Sequence, residues 1–322
     1  MKTFFALISL TFVSFILCNA QDSRYSFMES YDLGSTAQVS VSSSDGNIEA
    51  VAFEGKKTDV FYIVKKNNKL LNISRQELEK EVTLEVVQTG NSLSIVVKYK
   101  NEFHSFDWRD QMVVSFRLQV PSETACDLRT SDGNISITGL KMDQKCKTSD
   151  GDLSITDITG AVLASTSDGN ITVKKVVGPV DVKTSDGNVH LEDIRGDAKA
   201  GSSDGNIAVY KITGNTAVKT SDGDILFKDF SGSLTATTSD GNVSGNVLEL
   251  IRELTVRTSD GNISVTIPDR LGLDLDIKGE SLDVPLANFS GRSSEKVIQG
   301  KSNGGGIPVN LSTSGHVTLM YR

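Results

Sequence analysis

Eight aspartates carry the clearest capacity for chemistry: Asp132, Asp150, Asp168, Asp186, Asp204, Asp222, Asp240 and Asp260, each set in a repeated Ser-Asp-Gly. Two residues beyond each stands an amide or a second carboxylate: Asn134, Asp152, Asn170, Asn188, Asn206, Asp224, Asn242 and Asn262. Gathered in a column, such oxygens could hold Ca2+, a hard cation that takes six to eight oxygen ligands. The candidate ligands are Asp150, Asp152, Asp168, Asp186, Asp204, Asp222, Asp224 and Asp240. A structural reading competes with this one. Asp side chains accept backbone N–H groups in tight turns, and stacked Asn side chains form amide ladders. Asp132, Gly133, Asn134, Gly151, Gly169, Asn170, Gly187, Asn188, Gly205, Asn206, Gly223, Gly241, Asn242, Gly261 and Asn262 would then build a ladder of turns that needs no cofactor.

Magnitudes favour the turn ladder. Unit charges ~4.8 Å apart repel by about 0.9 kcal/mol in water, so seven neighbouring pairs cost roughly 6 kcal/mol before screening. Apolar columns of the same length contribute gross tens of kcal/mol by burial, and need no metal. Calcium-binding nonapeptide repeats also carry two glycines and an Asp in every nine residues, a density this sequence lacks. Basic residues sit three positions before five of the aspartates, at Arg129, Lys147, Lys183, Lys219 and Arg257, where they could offset the acidic corner.

Other raw material for chemistry is sparse. Three His, three Cys and one Trp in 322 residues leave little for a zinc centre or a Cys/His nucleophile pair. His104, His190 and His316 are scattered, and Phe103, Phe106 and Trp108 read as a packing cap. No catalytic residue is assigned. With 33 basic against 41 acidic side chains the net charge is -8, so there is no basic footprint for a nucleic acid. Cys126 and Cys146 are the cysteines that remain after removal of a leader; either a disulfide near the first repeats or two buried thiols fits their spacing.

The elements that position these residues follow from the repeat. Six successive gaps between the aspartates are 18 residues and the last is 20. Apolar residues alternate after each Asp-Gly, as in Ile135/Ile137, Leu153/Ile155, Ile171/Val173 and Val189/Leu191, which is the period of a strand. A third apolar position follows at Leu140, Ile158, Val176 and Ile194, then a turn glycine at Gly160, Gly178, Gly196, Gly214 and Gly232, then a return strand such as Val162/Ala164 or Val180/Val182. One such unit cannot bury its own apolar face, so like units must stack. The expected fold is all-β: a single-stranded parallel β-solenoid of about 18 residues per coil, right-handed by the usual chirality of parallel crossovers, with an N-terminal β-rich cap region. The Asp240 unit is longer and lacks its turn glycine, and the Gly-rich stretch from Ser302 together with Thr313–Leu319 reads as degenerate closing rungs.

Residues 1–20 have the form of a secretory signal: Lys2, an apolar run from Phe4 to Leu17, and a small residue at Ala20 where cleavage is expected. Lipidation at Cys18 is the rival, disfavoured by Ile16 and Leu17 before it. Residues 21–125 form the N-terminal β-rich region and 126–322 the solenoid; Ser74-Arg75-Gln76-Glu77 has the spacing of a capping box for one short helix. No later stretch is apolar for long enough to cross a membrane as a helix.

The isolated Ser44-Asp45-Gly46-Asn47-Ile48, the strand ending Leu118-Gln119-Val120-Pro121, the Thr-Ser-Asp-Gly-Asn-Ile array and the closing Gly-rich rung together resemble the bacterial putative-adhesin family of β-strand repeats. That resemblance implies an exported cell-envelope protein, in the periplasm, on the outer surface or secreted, and brings no catalytic residues with it. The expectation is a non-catalytic structural or adhesive protein that meets a protein or glycan partner. Two alternatives stand beside it, a carbohydrate-active β-helix enzyme and a calcium-dependent adhesion module. An enzyme would need paired carboxylates at an irregular rung flanked by long loops, for which gaps of 18 leave no room.

Overall fold

The computed structural model describes residues 24–100 and 112–322. The leader with Cys18, and His104, Phe103, Phe106 and Trp108, lie outside the described residues. The protein is all-β, with 63% strand against 2% helix. Alternation of apolar and polar residues makes each unit two-faced, and two parallel ladders bury the apolar faces against one another.

The first ladder runs from β3 (Ile48–Phe53) through β10 (Ile135–Thr138), β12 (Leu153–Thr159), β14 (Ile171–Val177), β16 (Val189–Arg195), β18 (Ile207–Lys219), β19 (Ile225–Thr237) and β20 (Val243–Arg257) to β21 (Ile263–Ile267). The second holds β2 (Ala37–Ser42), β9 (Thr124–Arg129), β11 (Gln144–Lys147), β13 (Val162–Ser165), β15 (Val180–Lys183) and β17 (Ala198–Gly201), then the later halves of β18, β19 and β20. Register keeps like beside like: Leu153, Ile171, Val189, Ile207 and Ile225 pair in succession. With Ile158, Val176, Ile194, Ile212 and Phe230 they form interior columns at most 1% exposed. Each such side chain contributes about 1.5–3 kcal/mol by burial.

Two columns of special backbone turn the chain between the ladders. Gly160, Gly178, Gly196, Gly214 and Gly232 have φ from +139° to +153°, and a Cβ there would come within 2.1–2.6 Å of the rung before. Ahead of them Asp157, Lys175, Asp193, Lys211 and Asp229 adopt left-handed φ of 53° to 60°. Their charges alternate up the stack, so each like charge is two rungs away and each opposite charge one.

Both ends depart from sequence order. The rung of β2 and β3 lies between β9/β10 on one side and β7 (Ser92–Tyr99) with β8 (Met112–Pro121) on the other. The isolated Ser44-Asp45-Gly46-Asn47 copy is therefore part of the stack, directly beneath Ser131-Asp132-Gly133-Asn134: Asn134 N donates to Asn47 Oδ1 at 2.8 Å. Below it antiparallel strands take over, β4 (Lys57–Lys66) on β8, β1 (Phe27–Asp32) on β4, and β6 (Val82–Thr89) on β7. The helix α1 (Arg75–Glu81) starts at Ser74 with a complete capping box. At the other end β26 (Ile307–Ser312) and β27 (His316–Tyr321) insert between β20/β21 and β22 (Leu273–Lys278)/β23 (Ser281–Asp283). The closing layer is then the antiparallel β25 (Val297–Ser302) and β24 (Phe289–Ser293). An antiparallel layer ends the parallel repeat and leaves no copy of it unpaired.

Candidate functional site

At the acidic corner the hydrogen bonds run along the stack. Thr184 Oγ1 lies 3.0 Å from both Ser167 O and Gly169 O, sharing its proton between them, and accepts from Gly187 N at 3.2 Å. Thr148, Thr166, Thr220, Thr238 and Thr258 reach the same two carbonyls of the rung before. Asn188 N donates to Asn170 Oδ1 at 3.0 Å, Asn206 N to Asn188 Oδ1 at 2.9 Å and Asp224 N to Asn206 Oδ1 at 2.7 Å.

The expectation that the Ser-Asp-Gly carboxylates take the turn N–H groups is corrected here: the Ser and Asp N–H groups go to the Ser carbonyl of the rung before, the Gly N–H to the Thr or Ser hydroxyl two residues before the Asp, as in Gly187 N to Thr184 Oγ1 and Gly205 N to Ser202 Oγ, and the N–H two residues after the Asp to the amide or carboxylate at the same place in the rung before. The Ser, Asp and Asn N–H groups point at the neighbouring rung, whereas the glycine N–H is met within its own. The glycines Gly133, Gly151, Gly169, Gly187, Gly205, Gly223, Gly241 and Gly261 serve close approach: a Cβ on Gly187 would stand 1.9 Å from Gly169 O.

The Asp carboxylates stand outward and exposed. Asp150, Asp168, Asp186, Asp204, Asp222 and Asp240 rise side by side, one per rung, while Asp152 and Asp224 spend Oδ1 on the N–H of Asn170 and Asn242 at 2.7 Å. Among the described residues no group of three or more His, Cys, Asp or Glu is placed to hold a metal ion. At the foot of the column, burial and then the charge of Asp132 hold the Asp45 carboxyl above the usual carboxylate range. No ion pair among the described residues joins the basic column to these carboxylates; Arg129 binds Asp127 at 2.8 Å instead.

Cys126 and Cys146 are free thiols, buried at 3% and 2% exposure. The ladder pairs Cys126 with Gln144 and Cys146 with Leu128, a diagonal placement, and no bridge joins them. Burial pushes the Cys126 thiol up to about 12 and raises Cys146 as well.

Two surface features went unread in the sequence. On the outer face of the first ladder, His190 and Tyr210 lie ring to ring at 5.1 Å, with Lys228 Nζ 5.9 Å from the Tyr210 centroid. Beside them Glu192 bonds Lys174 at 2.9 Å and His190 at 3.3 Å, and those hydrogen bonds hold its carboxyl below the usual range. On the outer face of the second ladder a groove of about 990 Å³ crosses the strands from β11 to β20. Leu163, Pro179 and Ala217 contribute to its floor, and Arg252 and Glu253 border it where β20 carries two residues more than its neighbour. The extra length after Asp240 was the one signal for it in the sequence.

The Toastrack DUF4097 family model matches residues 35–225 and again 164–319. Among curated proteins the chain has no match. Solved structures similar to it include a putative adhesin from Bacteroides fragilis, 17% identical over 74% of this chain and 96% of that one, with a TM-score of 0.44. A putative adhesin from Parabacteroides merdae is 13% identical over 74% and 95% of the two chains, with a TM-score of 0.48. A putative cell adhesion protein from Clostridium sporogenes is 10% identical over 92% and 99%, with a TM-score of 0.21.

Proposed function

The chain belongs to the Toastrack DUF4097 family, and on that premise we propose that it is a non-catalytic protein of the cell surface that holds a protein or glycan partner on an extended β-solenoid. One coil per 18 residues, wound right-handed, is the geometry we assign to the stack, with export through the residue 1–20 leader.

The observation that carries this reading is the continuous parallel pairing from β3 to β21, in register up to β19 and shifted by the longer β20. Nine strands at ~4.8 Å make a stiff face about 38 Å long. Identical columns bury the interior, so outward positions are free to vary without cost to folding. Such a surface suits recognition of something long. The polar groups on it are spread at rung spacing, where catalysis would require them to converge on one reacting atom.

Attachment tests the proposal directly. Beads coated with the mature chain should be retained saturably on cell-envelope or glycan-coated surfaces, with the glycans recovered intact. Reproducible cleavage of a glycan, abolished by substitution in a single rung, would overturn it. Export is tested separately: N-terminal sequencing of protein from the producing cell should begin at Gln21.

A further inference from the structure

We propose that the groove across the second ladder is a binding site for an uncharged, linear oligosaccharide; the inference rests on the surface-binding reading above and assigns its site and ligand class. The first observation is the groove itself, about 990 Å³ on the outer face of the ladder, with an oriented amide at its side. Asn215 N and Nδ2 both donate to Asp197 Oδ1 at 3.0 Å, which orients the amide with its oxygen unused by that contact.

Charge narrows the ligand class. Asp181, Asp197 and Glu253 are interleaved along the groove with Lys145, Lys199 and Arg252, so neither a polyanion nor a polycation meets a complementary field. Vicinal hydroxyls suit such a mixture, because each can donate to a carboxylate and accept from an ammonium or amide. Between the polar groups Leu163, Pro179 and Ala217 offer an apolar floor on which the C–H face of a sugar ring can lie.

Topology disfavours a peptide. Strand addition needs a free sheet edge, whereas the backbone under the groove is spent within the ladder: Gln144 N donates to Ala161 O, Val162 N to Pro179 O and Val180 N to Asp197 O. The groove also runs across the strands, so its polar groups repeat at about the rung spacing of ~4.8 Å, close to the advance per ring of a β-linked glycan. A polymer of rings can therefore place one unit on each rung.

The mature full-length chain is titrated calorimetrically with neutral β-linked oligosaccharides of two to eight units (cello-, xylo-, manno- and chito-series), and with an extended peptide of similar length. At least one series should bind, with affinity rising at least tenfold from dimer to hexamer. Leu163→Arg at an exposed floor position and Asn215→Ala should each weaken that binding tenfold or more with the melting temperature unchanged. His190→Ala, on the opposite face, should leave affinity unchanged. Glycan binding that survives the groove variants and falls with His190→Ala overturns the inference, as does binding of the peptide alone or of none of these probes. Bead retention scored in parallel separates the two readings: retention that persists in the groove variants leaves the surface role standing and removes only this site.

Discussion

The middle of the stack and its two ends solve the same packing problem by different means. From β12 to β19 the rungs are near copies, and the interior columns between Leu153 and Val256 contain no titratable side chain. At the N-terminal end the neighbours are all different. Glu29 accepts from Tyr31, Tyr62 and Arg75, Phe27 stacks on Tyr62 at 4.3 Å, and two thiols are buried above them. Repetition lets one solution serve every rung but makes each rung's backbone the neighbour's wall. The ends are free of that wall and rely on individual polar contacts.

The largest effect should follow from breaching the wall. Gly187→Ala, with its Cβ 1.9 Å from Gly169 O, should cost more than about 4 kcal/mol in urea unfolding. Gly90→Ala at the β6–β7 turn has φ +59° but nothing within 4 Å, and should cost only about 1–2 kcal/mol. Equal losses would mean that conformation, and not close approach, selects these glycines.

Alkali should reverse the ranking of the two regions. Cys126 is raised from 9.0 to about 12 by burial, Cys146 is raised likewise, and burial with Glu29 raises Tyr31 and Tyr62. A group whose folded value lies above its unfolded one contributes its full stability below the unfolded value and loses it as pH climbs toward the folded one. Stability should thus hold to about pH 9 and fall between 9 and 12, by on the order of 4 kcal/mol for Cys126 alone. Hydrogen exchange should report opening at the N-terminal end first, and Cys126→Ala should flatten the profile. Protection lost evenly along the chain would contradict the contrast.

Smaller differences sharpen it. Thr184→Val strips partners from Ser167 O, Gly169 O and Gly187 N and should cost about 1–3 kcal/mol by chemical unfolding. Ser74→Ala removes the helix N-cap and should cost about 1 kcal/mol. Smallest of all is the response to metal: the exposed Asp column should give the same thermal midpoint in millimolar Ca2+ and in chelator. A rise with Ca2+ would show that the carboxylates can converge after all.

Much of the middle was legible because its period is local. Strand alternation, the interior identities from Ile135 to Phe230, and the turn glycines can all be read within one unit and then translated. The corner was read less well. Asp and Asn both favour turns, and which of them points along the stack depends on the neighbouring rung, which no single unit contains. The alternating Asp157-Lys175-Asp193-Lys211-Asp229 column was visible at the same spacing but mattered only once those residues proved to have left-handed backbone.

The chain alone pointed to repeats lying side by side in parallel register, since columns of matching residues at a constant offset favour stacking over an array of antiparallel hairpins. Only the tertiary structure decided what adjoins the first and last copies. The Asp45 unit sits beneath Asp132 although 87 residues separate them, and the C-terminal strands slip inside the layer that precedes them in sequence. Such neighbours are chosen by the path of the chain through space, and the groove arises in the same way, from side chains a full rung apart that share no local pattern.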